Sequence, residues 1–267
     1  MYPDGTSKEQ LEYLRRVKAR KRLILLMRIL LLLVFFAVWE IATRVKWMDP
    51  FIFSSPVRMI NTLARLAKNG TLYEHVWTTL WETVVGFLLG TAIGIIIAVV
   101  LWASETVSKV LEPYLVVANA LPKIALGPVF IVWLGAGPLS IITVALTVSL
   151  IVTVLEVYTG FQEADPEKLR LVKSFGASRK QVLTKVILPS SFPVMMSSLK
   201  VNVGLSWVGV IVGEFLVSRA GLGYLIVYGG QVFQLDLVMT SVLILSVLAA
   251  LMYFGVQFLG RVISKNY

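Results

Sequence analysis

The chain has 267 residues, 57% of them hydrophobic, with mean hydropathy +0.82 and a formal net charge of +10. Soluble domains sit far below that hydropathy, so this is an integral membrane protein; at roughly 20 apolar residues per spanning helix it holds about six spans and little else. Lys and Arg cluster at the ends of apolar runs rather than in a stripe interleaved with exposed aromatics, which argues for topology signals and membrane-lipid contact and against nucleic acid. With no cysteine, disulfide scaffolds, thiol chemistry and cysteine-ligated metals are excluded.

Residues 1–22 are polar, end in RRVKARKR and are expected to form a short cytoplasmic surface helix. Span 1 covers Leu23 to Thr43, with Arg28 close enough to its end to snorkel. No small-x-small cleavage site follows it, so it reads as a retained span. After Ser55-Pro56, the residues Val57, Ile60, Leu63, Ala64 and Ala67 recur at helical spacing. They predict a short amphipathic surface helix that Gly70 ends.

Span 2 covers Val76 to Ala103, with Gly86, Gly90 and Gly94 on one face, a spacing that lets helices approach closely in lipid. Span 3, Val110 to Leu134, carries Pro113, Pro122, Gly127 and Pro128 and must kink or break. Span 4 covers Leu139 to Tyr158, span 5 Ser190 to Val217, and span 6 Leu237 to Leu259. Tyr224 to Phe233 is too short to span and reads as re-entrant or interfacial. The fold class is therefore all-α and polytopic. A permeation domain over 23–260 is preceded by a cytoplasmic segment (1–22) and followed by a cytoplasmic tail (261–267).

With the N-terminus inside, the inner segments hold 16 Lys and Arg and the outer segments 6, so both termini are expected in the cytoplasm. That orientation puts the basic segment 161–189 in the cytoplasm. Within it, Lys168 to Phe175 reads as a helix and Gly176 to Ser178 as a turn. A second helix follows, and then Ile187-Leu188-Pro189, with Pro189 expected to separate the element from span 5. An ordered polar element between two spans is suited to touching a partner.

Charges inside spans are costly and mark candidate sites. Lys123 follows Pro122 at the expected break of span 3, where unwound backbone can line a cavity. Lys200 lies about 15 Å into span 5 at 1.5 Å per residue. Glu214 sits near the outer end of span 5, placed to pair with Arg219 or line the outer mouth. Asn202, Ser206, Gly209 and Gly213 share one face of span 5, a stripe that either packs on another helix or lines a polar path, and Trp207 flanks it. Glu82 and Glu156 are placed near span ends in interfacial or packing roles. The single histidine, His75, reads as a surface or interfacial residue. No Gly-x-x-x-x-Gly-Lys-Ser/Thr loop, His-Glu-x-x-His or Gly-x-Ser-x-Gly occurs, which argues against a nucleotide-hydrolysing, metal or nucleophile enzyme. An ion-gradient transporter would call for midplane carboxylates and inverted repeats, and no repeat is evident.

The cytoplasmic segment resembles the "EAA loop" of permease subunits of bacterial ABC importers, Glu-Ala-Ala-x3-Gly-x9-Ile-x-Leu-Pro. Gly176, Val186, Leu188 and Pro189 fall in register, while Arg170, Leu171 and Val172 occupy the Glu-Ala-Ala positions. Glu163-Ala164-Asp165 lies too early to fit. Ser55-Pro56-x-x-x-Ile60, Leu63-x-x-Leu66-Ala67-x-x-Gly70, Gly86-Phe87 with Gly90 and Gly94, LPKIALGPVFIVWLGAGP (121–138) and EFLVSRAGLGYLI (214–226) are similar to the nitrate/sulfonate/taurine-type group. The resemblance covers roughly residues 50–260.

It implies a binding-protein-dependent importer of the bacterial inner membrane that works by alternating access. Two permease copies would form the pathway, and an external binding protein would deliver solute near residues 56–70 and 218–236. Two copies of an ATPase subunit, which would carry ATP and Mg, would receive a coupling element made of Arg170, Lys173, Ser174, Phe175, Gly176, Ala177, Ser178 and Arg179. This chain itself would bind no cofactor. Lys123, Lys200, Asn202, Ser206, Trp207 and Glu214 would be the pathway candidates. The chain departs from the family where Val152, Glu156 and Val157 replace a Pro and an Asn-Thr pair, and where Glu82 replaces an Arg. An added Glu on the path disfavours an anionic solute.

Overall fold

The computed structural model describes residues 8–264, so the first seven residues of the predicted N-terminal segment and the last three of the tail lie outside the described residues. The described chain divides between Thr62 and Leu63 into two compact units.

In the first unit, α1 runs without interruption from Lys8 to Arg44. The expected surface helix and span 1 are thus one helix, because no Gly or Pro interrupts residues 8–44 and the basic run is itself a good helix former. From Leu23 to Leu33 its apolar side chains are exposed all round, the pattern of a helix solvated by lipid. Near its end Glu40 accepts from Arg44 Nε (2.7 Å) and from the amide of Val57 (3.1 Å), which fixes the connection that follows. That connection holds the short helix α2 (Pro50–Phe53), whose N-cap Asp49 accepts the amide of Phe51 at 2.8 Å. Helix α3 (Pro56–Lys68) is the predicted amphipathic element, and Gly70 follows it with φ +76°. Its buried residues are Met59 and Thr62; of the apolar stripe read from the spacing, Val57, Ile60, Ala64 and Ala67 are exposed and Leu63 is half-buried.

The second unit is built on three long helices: α4 (Thr71–Ala103), α7 (Pro138–Gln162) and α10 (Leu188–Val217). Between α4 and α7 lie α5 (Glu105–Ala120), a 3-10 turn (Lys123–Leu126) and α6 (Gly127–Leu134). The chain bends 87° between the α5 helix and the Lys123–Leu134 stretch. Span 3 is therefore broken where Pro122 removes a backbone donor. Among the described residues, five helices are long and apolar enough to cross a membrane, and the bent pair makes a sixth candidate.

Helix α7 is the centre of the unit, packed on both sides through small residues. On α4, a Cβ at Gly86 would lie 3.0 Å from Ala145 Cβ, and one at Gly94 only 2.6 Å from Thr153 Cβ; Gly90 faces Ser149. On α10, Gly209 abuts Ala145, and a Cβ at Gly213 would lie 2.9 Å from Ile141. Close backbone approach replaces the hydrophobic drive that lipid cannot supply. The hydroxyls of Ser149 and Thr153 donate to carbonyls one turn back, at 3.1 and 2.9 Å, which satisfies them inside the bundle.

After α7 come α8 (Pro166–Ser174) and α9 (Arg179–Val182), then a π-helical turn (Leu183–Ile187) that leads directly into α10. This corrects the expected separation at Pro189. The proline sits in the first turn of α10, where its missing N–H costs little, and the amide of Leu188 reaches back to the carbonyl of Leu183. The π-turn absorbs the defect without ending the helix. Helix α11 (Leu222–Gln231) has 10 residues, too few to span, and packs through Leu222 and Leu225 against Leu237 of α12 (Leu235–Ser264). Helix α12 runs past the expected 260/261 boundary to Ser264.

Candidate functional site

The predicted coupling segment is a rigid helix–turn–helix. Asp165 caps α8 by accepting the amide of Glu167 at 2.9 Å, with Pro166 in the first turn. At the other end Gly176 has φ +77°. Its amide donates to the carbonyl of Lys173 (2.9 Å) and that of Ala177 to Val172 (3.3 Å), a Schellman arrangement that needs a left-handed residue at position 176. Ser178 then starts α9 with a capping box: its amide donates to Gln181 Oε1 (2.8 Å) while its hydroxyl accepts the Gln181 amide (3.4 Å).

The segment is anchored to the bundle at two points. Val182 and Ile187 are buried with Ala98, Val157, Phe161 and Ala164, and Ala177 packs on that cluster. Arg179 donates to the carbonyl of Ala103, at the end of α4, at 2.9 Å. Of the eight proposed coupling residues, Ala177 is half-buried and the other seven are exposed. Phe175 stands out beside the turn at 81% exposed, and Arg170, Lys173 and Arg179, within five residues of it in sequence, are exposed as well.

The six pathway candidates separate. Lys123 is half-buried at the break and donates to the carbonyl (3.1 Å) and Oδ1 (3.2 Å) of Asn119, closing the end of α5. Lys200 is half-buried on α10. Asn202 and Ser206 are fully buried, and Asn202 Nδ2 donates to Thr153 Oγ1 of α7, so in this chain the stripe packs on a neighbouring helix. Trp207 is buried with Phe87 and Val203. Glu214 is 1% exposed.

Glu214 does not pair with Arg219, which is exposed. Its Oε2 accepts the amides of Gly223 (2.6 Å) and Tyr224 (3.3 Å). The preceding amides are taken by α4: Gly221 donates to His75 Nδ1 (3.0 Å) and Leu222 to Thr79 Oγ1 (2.7 Å). All four orphan donors at the start of α11 are thereby met by buried side chains. His75 is consequently a buried acceptor rather than a surface residue. Glu82, expected near a span end, is 1% exposed and stands beside Glu214. Sequence reasoning missed this cluster, although its signal was present: His75, Thr79, Glu82 and Thr83 fall on one face of α4.

A family model, "Binding-protein-dependent transport system inner membrane component", matches residues 90–267. Over 235 residues the chain is 32% identical to a "Probable ABC transporter permease protein" of Haemophilus influenzae, covering 88% of this chain and 95% of that one. It is 26% identical over 258 residues to the "Putative aliphatic sulfonates transport permease protein SsuC" of Bacillus subtilis, covering 97% and 94%. Among solved structures, a chain of a bacterial ABC transporter involved in the import of the acidic polysaccharide alginate shares the fold, with TM-score 0.64, 15% identity and coverage of 92% and 98%. The broken third span, the capped helix–turn–helix between spans and these matches agree: the chain belongs to the binding-protein-dependent transport system inner membrane components and is a membrane-spanning permease subunit of an ABC importer.

Proposed function

We propose that two copies of this chain form the translocation pathway of a bacterial inner-membrane importer. In this reading both termini and the α8–α9 element are cytoplasmic, and an extracytoplasmic binding protein delivers a small solute to the opposite face. The solute is a sulfonate-, nitrate- or taurine-like anion or a small heterocycle, in keeping with the aliphatic sulfonates for which the Bacillus relative is named. ATP is hydrolysed, with Mg, on two copies of a separate ATPase subunit, each of which receives one α8–α9 element. Closure of the ATPase pair draws the two elements together and rocks the spans. The observation that carries this reading is the exposed Phe175 on a helix–turn–helix locked by a Schellman turn and a capping box. Such an element can transmit force because the π-turn joins it to α10 without a flexible joint.

The test is to tag the chain in its own host, purify it in mild detergent and identify its companions by mass spectrometry. An ATPase subunit and a binding protein are expected. An intact chain that purifies alone overturns the reading.

A further inference from the structure

Helices α7 and α10 meet along a ladder whose middle rung is open. At one end Asn202 Nδ2 donates to Thr153 Oγ1. At the other, Ser191 Oγ donates to the carbonyl of Gly160 at 2.7 Å, and a Cβ at Gly160 would lie 2.9 Å from Val194, so the helices touch there. Between these closures stand Glu156 on α7, one turn from Thr153 and from Gly160, and Ser198 on α10, one turn from Asn202. Glu156 Oε2 and Ser198 Oγ are both inaccessible and have no hydrogen-bond partner among the described residues. Ser198 is 2% exposed. A buried hydroxyl in a helix ordinarily donates one turn back, as Thr153 and Ser149 do; Ser198 does not.

The open rung borders a cavity of about 310 Å³ that Thr159, Glu163, Val194 and Ser197 also line. That volume lies at the small end of ligand pockets. A charged side chain within a span is retained where it serves a site. Carboxylates offer only acceptors, so what enters between Glu156 and Glu163 must bring donors and positive charge. No group of three or more His, Cys, Asp or Glu able to hold a metal ion occurs among the described residues, and a simple anion is repelled.

We propose that this cleft between α7 and α10 is a subsite for a positively charged nitrogen group of the transported solute, with Glu156 opposing the charge and Ser198 orienting it. The assignment rests on the importer reading and narrows it. The solute carries an ammonium or a protonated ring nitrogen, as an amine-bearing sulfonate or a basic heterocycle does, and is not a simple oxyanion.

The absence of cysteine allows a direct test. In the purified full-length chain, with whatever subunits accompany it, Ser198→Cys is labelled with trimethylammonium-ethyl methanethiosulfonate and, separately, with the sulfonatoethyl reagent. Each rate is divided by that of a free thiol in solution. The normalised cation-to-anion ratio is expected near tenfold, from the field of two nearby carboxylates partly screened by salt. It should fall towards one when Glu156→Gln and Glu163→Gln are added. A ratio at or below one, a ratio insensitive to both glutamates, or a folded but unreactive thiol overturns the proposal. If Ser198→Cys fails to fold, Thr159→Cys on the exposed rim of the same cleft gives the same readout. Labelling reports on the cleft whether or not an ATPase co-purifies, so this inference and the importer assembly fail separately.

Discussion

Glu214 Oε2 lies 2.6 Å from the amide nitrogen of Gly223, joining the last turn of α10 to the first turn of a helix too short to cross the bilayer. The same oxygen takes the next amide, that of Tyr224, while Thr79 and His75 on α4 take the two before it. Three elements are thus pinned at one point by backbone donors. A Cβ at Gly223 would lie 2.8 Å from Glu214 Cβ, so this close approach requires glycine there.

Glu214→Ala leaves two buried amides without acceptors, and the loss is expected to be about 2 kcal/mol of stability, the scale of leaving buried donors unsatisfied. Thr79→Val leaves one buried amide, that of Leu222, without its acceptor and also removes the hydroxyl's bond to the His75 carbonyl, whose other lone pair stays in the helix ladder; it should cost about half as much. Thermal unfolding of the purified chain in one detergent ranks the variants. Equal midpoints for wild type and Glu214→Ala would show that α11 is held by other contacts.

Gly94 and Gly255 are both helical glycines with opposite surroundings. A side chain at Gly94 runs into Thr153, whereas nothing lies within 4 Å of a Cβ at Gly255. Gly94→Leu is expected to force α4 and α7 apart at a cost of about 1–3 kcal/mol, with loss of folded material in detergent. Gly255→Leu should purify like the parent chain. Size-exclusion profiles measured side by side decide this.

Gly176 has open space around it but a φ of +77°. Any L side chain there is strained by about 1–2 kcal/mol from the backbone alone, and a β-branched one by more. Gly176→Val should therefore insert normally yet present a misshapen coupling knob, with substrate-stimulated ATP hydrolysis lost in the reconstituted importer. Normal coupled transport by Gly176→Val or Gly176→Glu at normal expression would count decisively against the coupling role.

Phe175 is 81% exposed and outside every core cluster described. Phe175→Ser should leave the thermal midpoint of the isolated chain unchanged. It should weaken association with the ATPase subunit by at least about tenfold, as loss of an aromatic anchor does. Co-purification yield at graded salt separates this from a general loss of charge attraction. An unchanged yield would move the contact onto the flanking arginines.

Much was decided by the sequence itself. Apolar run lengths set the number of spans, because the bilayer fixes how many residues a helix needs to cross it. The Gly86–Gly90–Gly94 stripe announced close helix packing, since small residues at that spacing on one face do not keep backbones apart, whereas the Gly209–Gly213 stripe left packing and a polar path both open. The Gly-Ala-Ser turn between two basic segments announced the helix–turn–helix between spans 4 and 5, because turn chemistry is local. What the tertiary structure alone decided was which polar residues meet. His75 and Gly221, Glu82 and Glu214, and Thr153 and Asn202 are distant in sequence, and one-dimensional spacing assigns a residue to a face without saying what faces it. The same limit explains Pro189: a proline signals a missing donor, but whether the helix ends or absorbs the loss in a π-turn depends on the packing of Val182 and Ile187 against α4 and α7, which holds the backbone in line.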